Sequence, residues 1–189
     1  MPDYLVSVIG SFPSERKISY EKPDGTTETA DVFCGVPQGS VLGPILWNIA
    51  YDCVLTRTVL PEGCSLVCYA DDTLLLATGR GWAEVRDRAE AGLNATVEVI
   101  RSIGLRVSLP KTEACGFHRP RNRLPNGLAL SSGGVWIGVR RTLRYLGVTF
   151  DSGLTFGQHL ALLGPKISAA RASLGRMMPN VRGLRARAR

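Results

Sequence analysis

The residues most able to do chemistry are two adjacent aspartates, Asp71 and Asp72, set between apolar runs in the stretch CSLVCYADDTLLLAT from Cys64 to Thr78. The flanking runs predict two strands buried on at least one face, and a two-residue polar break has the length of a tight turn. Both aspartates are therefore expected at a hairpin tip. Two carboxylates about 4 Å apart repel by roughly 4 kcal/mol at an effective dielectric of ~20, which a bound divalent cation relieves. Few, hard oxygen ligands suit Mg²⁺. The plainer reading stands beside it, because Asp at a hairpin tip also tolerates positive φ and hydrogen-bonds its own turn.

A second candidate lies upstream, in CGVPQGSVLGPILWNIAYDCVL from Cys34 to Leu55. Its glycines, a proline and Gln38 make a loop that allows close backbone approach, with Ser40 placed to cap a following helix and Pro44 tolerable in the first turn. Ile45, Leu46, Ile49 and Cys53 mark the expected buried face of that helix, which spans about 41–56. A glycine-rich loop feeding a helix can cradle phosphate or a base, and it can equally serve only as a connection.

The surrounding elements follow from pattern. Residues 4–12 are apolar but short and of ambiguous type; 17–20 and 29–33 flank Pro-Asp-Gly as a solvent-facing hairpin. Trp82, Val85, Ala89, Leu93, Thr96, Ile100 and Ile103 recur at helical spacing over 81–103, with Trp82 in the core, and Gly104 stops the helix. Residues 105–109 alternate as a strand before Pro110 and Lys111. Residues 113–117 and 135–139 read as further strands separated by a polar loop, and 143–150 as one more strand with Gly147 at a bulge or close approach. Residues 158–178 form a helix with Leu160, Leu163, Ile167, Ala170, Leu174 and Met177 on one face, broken or restarted at Pro165, with His159 packing or capping near its start.

The chain has 189 residues, 44% hydrophobic, enough for a folded core, and a net charge of +7. Residues 1–100 hold seven Lys/Arg against fourteen Asp/Glu, and residues 101–189 sixteen against two, so −7 and +14 make up that sum. The clusters Arg119, Arg121, Arg123, then Arg140, Arg141, Arg144, then Arg182, Arg185, Arg187, Arg189 suit either a nucleic-acid partner or a solvated basic face. Five cysteines without disulfide-scaffold spacing indicate a reduced, intracellular, non-secreted chain. Cys64, Cys68, Cys115 and His118 do not make a convincing zinc set, since no CxxC pair exists and cysteine in an apolar run is a small hydrophobe. No signal peptide or membrane-spanning run is present in the sequence, so no membrane partner is expected.

Taken together and in order, GVPQGSVLGPILWNIAYD, CYADDTLLLAT, GLRVSLPKTE and RYLGVTFD resemble the reverse transcriptases of non-LTR, LINE-type retrotransposons over most of the chain. The resemblance implies an α+β fold: a partial polymerase palm over 1–156, an antiparallel sheet carrying the aspartate hairpin and backed on one face by the two helices near 41–56 and 81–103. The start of a helical thumb would occupy 157–189. It implies an RNA-directed DNA polymerase in which Asp71 and, less directly, Asp72 hold two Mg²⁺ ions, with Mn²⁺ as the alternative. Tyr69 would lie beside the primer end and incoming deoxynucleoside triphosphate. Gly35, Pro37, Gln38, Gly39 and Ser40 would border nucleotide and template, Lys111 would approach the leaving pyrophosphate, and Tyr145, Leu146 and Gly147 would form the primer grip. Without the family, Lys111 is equally a surface lysine in a turn.

The implied partners are an RNA template and a DNA primer. The pattern departs in one respect: such a palm takes a third carboxylate from an upstream strand, and Asp3, Asp24 and Asp31 lack that apolar context. The fingers and the first aspartate motif are accordingly expected upstream in a longer protein, and the isolated chain is expected to polymerise little and to be poorly soluble through its open sheet face. The contrasting function class is a non-catalytic fragment that binds nucleic acid through its basic second half.

Overall fold

A computed structural model describes residues 2–12, 14–33, 35–118 and 123–177. Cys34, Arg119, Arg121, Met178 and the four arginines from Arg182 to Arg189 lie outside the described residues. In chain order the elements are α1 (Asp3–Ser11), β1 (Arg16–Glu21), β2 (Thr27–Val32), α2 (Gly43–Arg57), β3 (Cys64–Tyr69), β4 (Asp72–Ala77), α3 (Trp82–Ser102), a 3-10 turn (Leu109–Lys111), β5 (Ala114–Cys115), β6 (Ala129–Ser132), β7 (Val135–Arg140), β8 (Thr142–Tyr145), β9 (Val148–Asp151) and α4 (Gly157–Met177). Helices and small antiparallel or mixed sheets make an α+β protein, as the sequence implies. Two compact units divide it, Met1–Thr58 with Leu66–Leu74, and Val59–Ser65 with Leu75–Arg189.

In the first unit the ambiguous opening segment is α1. The Pro-Asp-Gly hairpin forms as expected, with Tyr20 opposite Glu28. Asp24 accepts hydrogen bonds from the Thr26 amide at 2.9 Å and its hydroxyl at 2.6 Å, so Asp24 is a turn residue whose carboxyl those bonds hold below its usual range. Helix α2 begins with Pro44 in its first turn. Its buried face is not the expected one: Tyr51 and Val54 are buried, whereas Ile45 and Ile49 are 54% and 65% exposed. The helix is apolar on more than one side, so spacing alone could not select between Gly43, Tyr51 and Val54 and the Ile45–Ile49 strip.

In the second unit α3 buries Gly92, Thr96 and Ile100, on the predicted face. Gly92 permits a close approach: a methyl built there would stand 3.2 Å from both terminal carbons of Leu75 and 3.7 Å from Cys64 Sγ. Polar groups tie the same helix to β6, for Glu90 accepts the Ser131 amide at 2.8 Å and Asn94 the Ser132 hydroxyl at 2.7 Å. Gly104, with φ of 83°, ends the helix in the left-handed conformation, its amide donating to Arg101 O at 3.0 Å.

Five expectations about this unit need correction. Residues 105–109 alternate half-buried and exposed as a strand would, but find no ladder partner and run into the 3-10 turn. The supposed loop before 135 contains β6, paired antiparallel to β7 across Gly133–Gly134, both at positive φ. That two-glycine turn was the available signal. Residues 143–150 are not one strand but the hairpin β8–β9, with Tyr145 opposite Val148. Helix α4 runs unbroken through Pro165, and Leu160, Ile167 and Leu174 on its expected face are exposed. The strand expected over 113–117 is reduced to β5, parallel to β7.

Substituting Gly92→Leu should overpack α3 against Leu75 and lower stability by about 1–3 kcal/mol. Urea denaturation followed by circular dichroism checks it; an unshifted midpoint would mean that the approach is not tight in solution.

Candidate active site

The aspartate hairpin is built from β3 and β4, which pair with each other. Side chains alternate along β3, with Cys64, Leu66 and Cys68 half-buried and Ser65, Val67 and Tyr69 exposed, so one face is covered and the other open, as expected. The turn itself is displaced by one residue from the sequence reading. Ala70 and Asp71 form the connection, Ala70 at φ of 51°, and Asp72 is already the first residue of β4. A two-residue hairpin turn needs positive φ, and here alanine rather than glycine adopts it.

Helix α2 holds that turn within the first unit. Trp47 donates its indole N–H to the Ala70 carbonyl at 3.0 Å, and the Tyr51 hydroxyl hydrogen-bonds the Thr73 hydroxyl one residue past Asp72. The two rings stack, 5.1 Å apart and 14° from parallel. Burial pushes the Tyr51 phenol up, the Thr73 bond opposes that shift, and the negative charge of Asp71 adds to it. Trp47 and Tyr51 are therefore site-supporting residues that the sequence reading missed; their i, i+4 spacing and polar-tipped rings were the signal.

Asp71 and Asp72 are exposed, and among the described residues neither carboxylate is hydrogen-bonded or paired with a cation. Their oxygens are free to ligate. Tyr69 is 63% exposed on the open face of β3. In the same unit the loop ahead of α2 makes a β-turn closed by the Ser40 amide on Pro37 O at 3.2 Å, with Gly39 at φ of 84° in its third position. Gln38 is thereby displayed at an exposed corner, and Gly35, also at positive φ, precedes it. Ser40 Oγ accepts the Gly43 amide at 3.1 Å, close to the capping role expected of it, although it stands three residues ahead of the helix.

The remaining candidates belong to the second unit. Lys111 is exposed at the end of the 3-10 turn, its amide on Ser108 O at 3.0 Å. Tyr145, Leu146 and Gly147 form the corner of β8–β9, with Leu146 at φ of 46° and Gly147 at 82°. Both central residues of a type I′ turn take positive φ, which leucine adopts only with strain of about 1–2 kcal/mol. Asp151 then fixes the approach to α4: its carboxylate accepts the amides of Gly153, Thr155 and Phe156 at 3.1, 3.0 and 2.7 Å and the Thr155 hydroxyl at 3.0 Å. Those bonds, the Thr155 amide foremost, hold its carboxyl below the usual range. His159 Nδ1 accepts the Thr149 amide at 3.3 Å, the packing or capping role expected of it.

Burial raises the half-buried Cys64, Cys68 and Cys115 thiols. Among the described residues no three His, Cys, Asp or Glu side chains gather into a metal-binding group. No helix among them is long and apolar enough to cross a membrane.

Residues 7–150 match the family described as reverse transcriptase (RNA-dependent DNA polymerase), and the chain belongs to that family. It is 33% identical over 180 residues to a putative 115 kDa protein in type-1 retrotransposable element R1DM of Drosophila melanogaster, covering 95% of this chain and 17% of that protein. It is 29% identical over 163 residues to the RNA-directed DNA polymerase from mobile element jockey of the same species, covering 84% and 18%. A Pol polyprotein from type-1 retrotransposable element R1 2 of Nasonia vitripennis is 30% identical over 159 residues, with 80% and 37% covered. The chain thus spans well under half the length of these relatives, which are of the non-LTR kind that its motifs resemble.

Two outcomes test the site's local geometry. Leu146→Asn relieves the left-handed strain and should raise stability by about 1 kcal/mol in thermal denaturation; a loss would show that the leucine side chain outweighs its backbone cost. Because the Asp151 carboxyl is lowered in the folded chain, its bonds are fully present above the unfolded value, near 3.8, and disappear as pH falls through the folded one. Amide exchange at Gly153, Thr155 and Phe156 should therefore lose protection below about pH 4, and Asp151→Ala should remove that protection at every pH.

Proposed function

We propose that this chain is part of an RNA-directed DNA polymerase that extends a DNA primer on an RNA template, with residues 1–156 as partial palm and 157–189 as the start of the thumb. One observation carries the reading: two adjacent, unpaired carboxylates on an anchored hairpin tip, in a chain belonging to the reverse transcriptase family. Asp71 and Asp72 offer hard oxygen ligands in a number and exposure that suit Mg²⁺, or Mn²⁺ in its place. When bound, the two ions would lower the pKa of the primer 3′-hydroxyl and neutralise the triphosphate.

The chain's own residues have separate tasks. Asp71, in the turn, and Asp72, at the strand end, supply negative charge at two different positions along the backbone. Trp47 and Tyr51 keep that spacing fixed, so less rearrangement is needed when substrate arrives. Tyr69 presents an aromatic face for the incoming deoxynucleoside triphosphate or primer end. Gly35, Pro37, Gly39 and Ser40 shape the turn that displays the Gln38 amide, which can both donate to and accept from a base or sugar. Lys111 would donate a proton or its charge to the departing pyrophosphate. Tyr145, Leu146 and Gly147 would bear on the primer backbone as a rigid corner.

Polymerisation on this reading takes a third carboxylate, from a segment upstream in the longer protein. The isolated 189-residue chain should accordingly give no Mg²⁺-dependent primer extension, and the longer protein containing it should extend an RNA-templated primer. Asp71→Asn in that longer protein should lower extension by more than the ~10–100-fold that follows loss of a group supporting a metal ligand. Extension assays with labelled primer settle both points; strong extension by the isolated chain, or an unaffected Asp71→Asn enzyme, would refute the assignment.

A further inference from the structure

A groove in the second unit, apart from every residue assigned above, has the makings of a binding site. It has a volume of about 370 Å³ and runs along the outer face of β7 beside the 3-10 turn. On β7 the exposed positions alternate as Trp136, Gly138 and Arg140, while Ile137 is buried beneath them. Trp136 is 74% exposed, an unusual placement for the largest apolar side chain. Gly138 has nothing within 4 Å of where a Cβ would stand, so the groove floor is bare backbone on which a planar group can lie. Its cross-strand partner is Ala129, equally small.

The far end is polar. Arg140 donates to Glu113 Oε1 at 2.8 Å, which steers an exposed guanidinium without burying it. Thr112 and Glu113 line the wall. Trp136 and Arg140 stand four positions apart on the strand, about 13 Å at the rise of an extended chain. An aromatic platform, a flat floor and a steered cation in line along a strand match the way sheet surfaces hold unpaired nucleotides: bases stack on rings, and cations take the backbone.

We propose that this groove binds single-stranded RNA, with a base stacked on Trp136, the chain lying across Gly138, and a phosphate at Arg140. The groove lies in the basic half of the chain, where residues 101–189 carry sixteen Lys/Arg against two Asp/Glu, while its own lining holds one cation, Arg140, paired with Glu113. The same wall favours RNA over DNA. Glu113 uses one oxygen for Arg140 and leaves the other as an acceptor, and a ribose 2′-hydroxyl is the donor that DNA lacks. The site is independent of polymerisation and holds RNA whether or not the aspartate hairpin is catalytic.

The test uses the whole 189-residue chain and an unstructured oligo(A) ribonucleotide, with the matched deoxyoligonucleotide as comparison, by fluorescence anisotropy at fixed salt. Trp136→Ala should weaken RNA binding about tenfold, and Trp136→Phe should keep most of the affinity. Glu113→Gln should narrow the preference for RNA over DNA. Circular dichroism verifies that each variant folds, and the exposure of both side chains makes folding the expected result. Unchanged RNA affinity in Trp136→Ala, or equal affinity of the parent for RNA and DNA, would overturn the proposal. So would a Trp136→Ala chain that binds RNA normally but loses self-association in sedimentation, because the face would then be a protein interface. Primer extension by the longer protein, run in parallel, reports on Asp71 and not on this groove, so the two readings fail separately.

Discussion

Holding two neighbouring carboxylates at one hairpin tip is the constraint on which the first unit depends. Both carboxylates are exposed and nothing among the described residues neutralises them, so like charge opposes holding them together. The tip also puts Ala70 in the left-handed region, at a further cost of about 1 kcal/mol. Both terms oppose the turn, and α2 opposes them in return, through the Trp47 indole on the Ala70 carbonyl and the Tyr51–Thr73 hydroxyl pair. These bonds flank the acidic pair on either side in sequence and leave its oxygens unoccupied. A turn stabilised through its backbone and neighbours, and not through its own carboxylates, is what ligation of a cation requires.

The second unit relies on the same local device. The turns of β6–β7 and β8–β9 each connect antiparallel strands by two residues at positive φ. Glycine fills both positions in the first, so no strain is stored there. In the second, Leu146 takes a position that asparagine or glycine would occupy more easily. The strained residue is one of the three proposed for the primer grip, where a fixed corner would serve that role.

The division between what the residues disclosed and what they did not has a physical basis. The Pro-Asp-Gly hairpin, the aspartate hairpin and α3 were legible because turn chemistry or a single apolar face specified each. Helix α2 was legible as a helix, but its orientation was not, because Ile45 and Ile49 compete with Tyr51 and Val54 for the interior. Residues 105–109 had the alternation of a strand without a partner, and pairing is a tertiary fact that no local pattern encodes. Residues 143–150 hid a turn because Leu-Gly is a poor turn signal. For α4, an apolar stripe predicted burial, and Pro165 predicted a break; neither followed, since a stripe is buried only where something packs on it. The candidate site residues were named from ordered motifs, while their supports, Trp47, Tyr51 and Asp151, had to be seen in place.

Charge then links chemistry to partner. On the proposed function, a carboxylate pair would repel the phosphates of a nucleotide or nucleic acid. Within residues 1–100 acidic groups outnumber basic ones two to one, so side chains there cannot supply the compensation. A divalent cation held by Asp71 and Asp72 would reverse the sign of the local field and make that point attractive for a triphosphate. The basic half needs no metal for the same purpose, since Lys/Arg prevail there by eight to one. On the proposed function the acidic half would take a ligand that arrives with its metal, and the basic half a nucleic-acid backbone held by side chains.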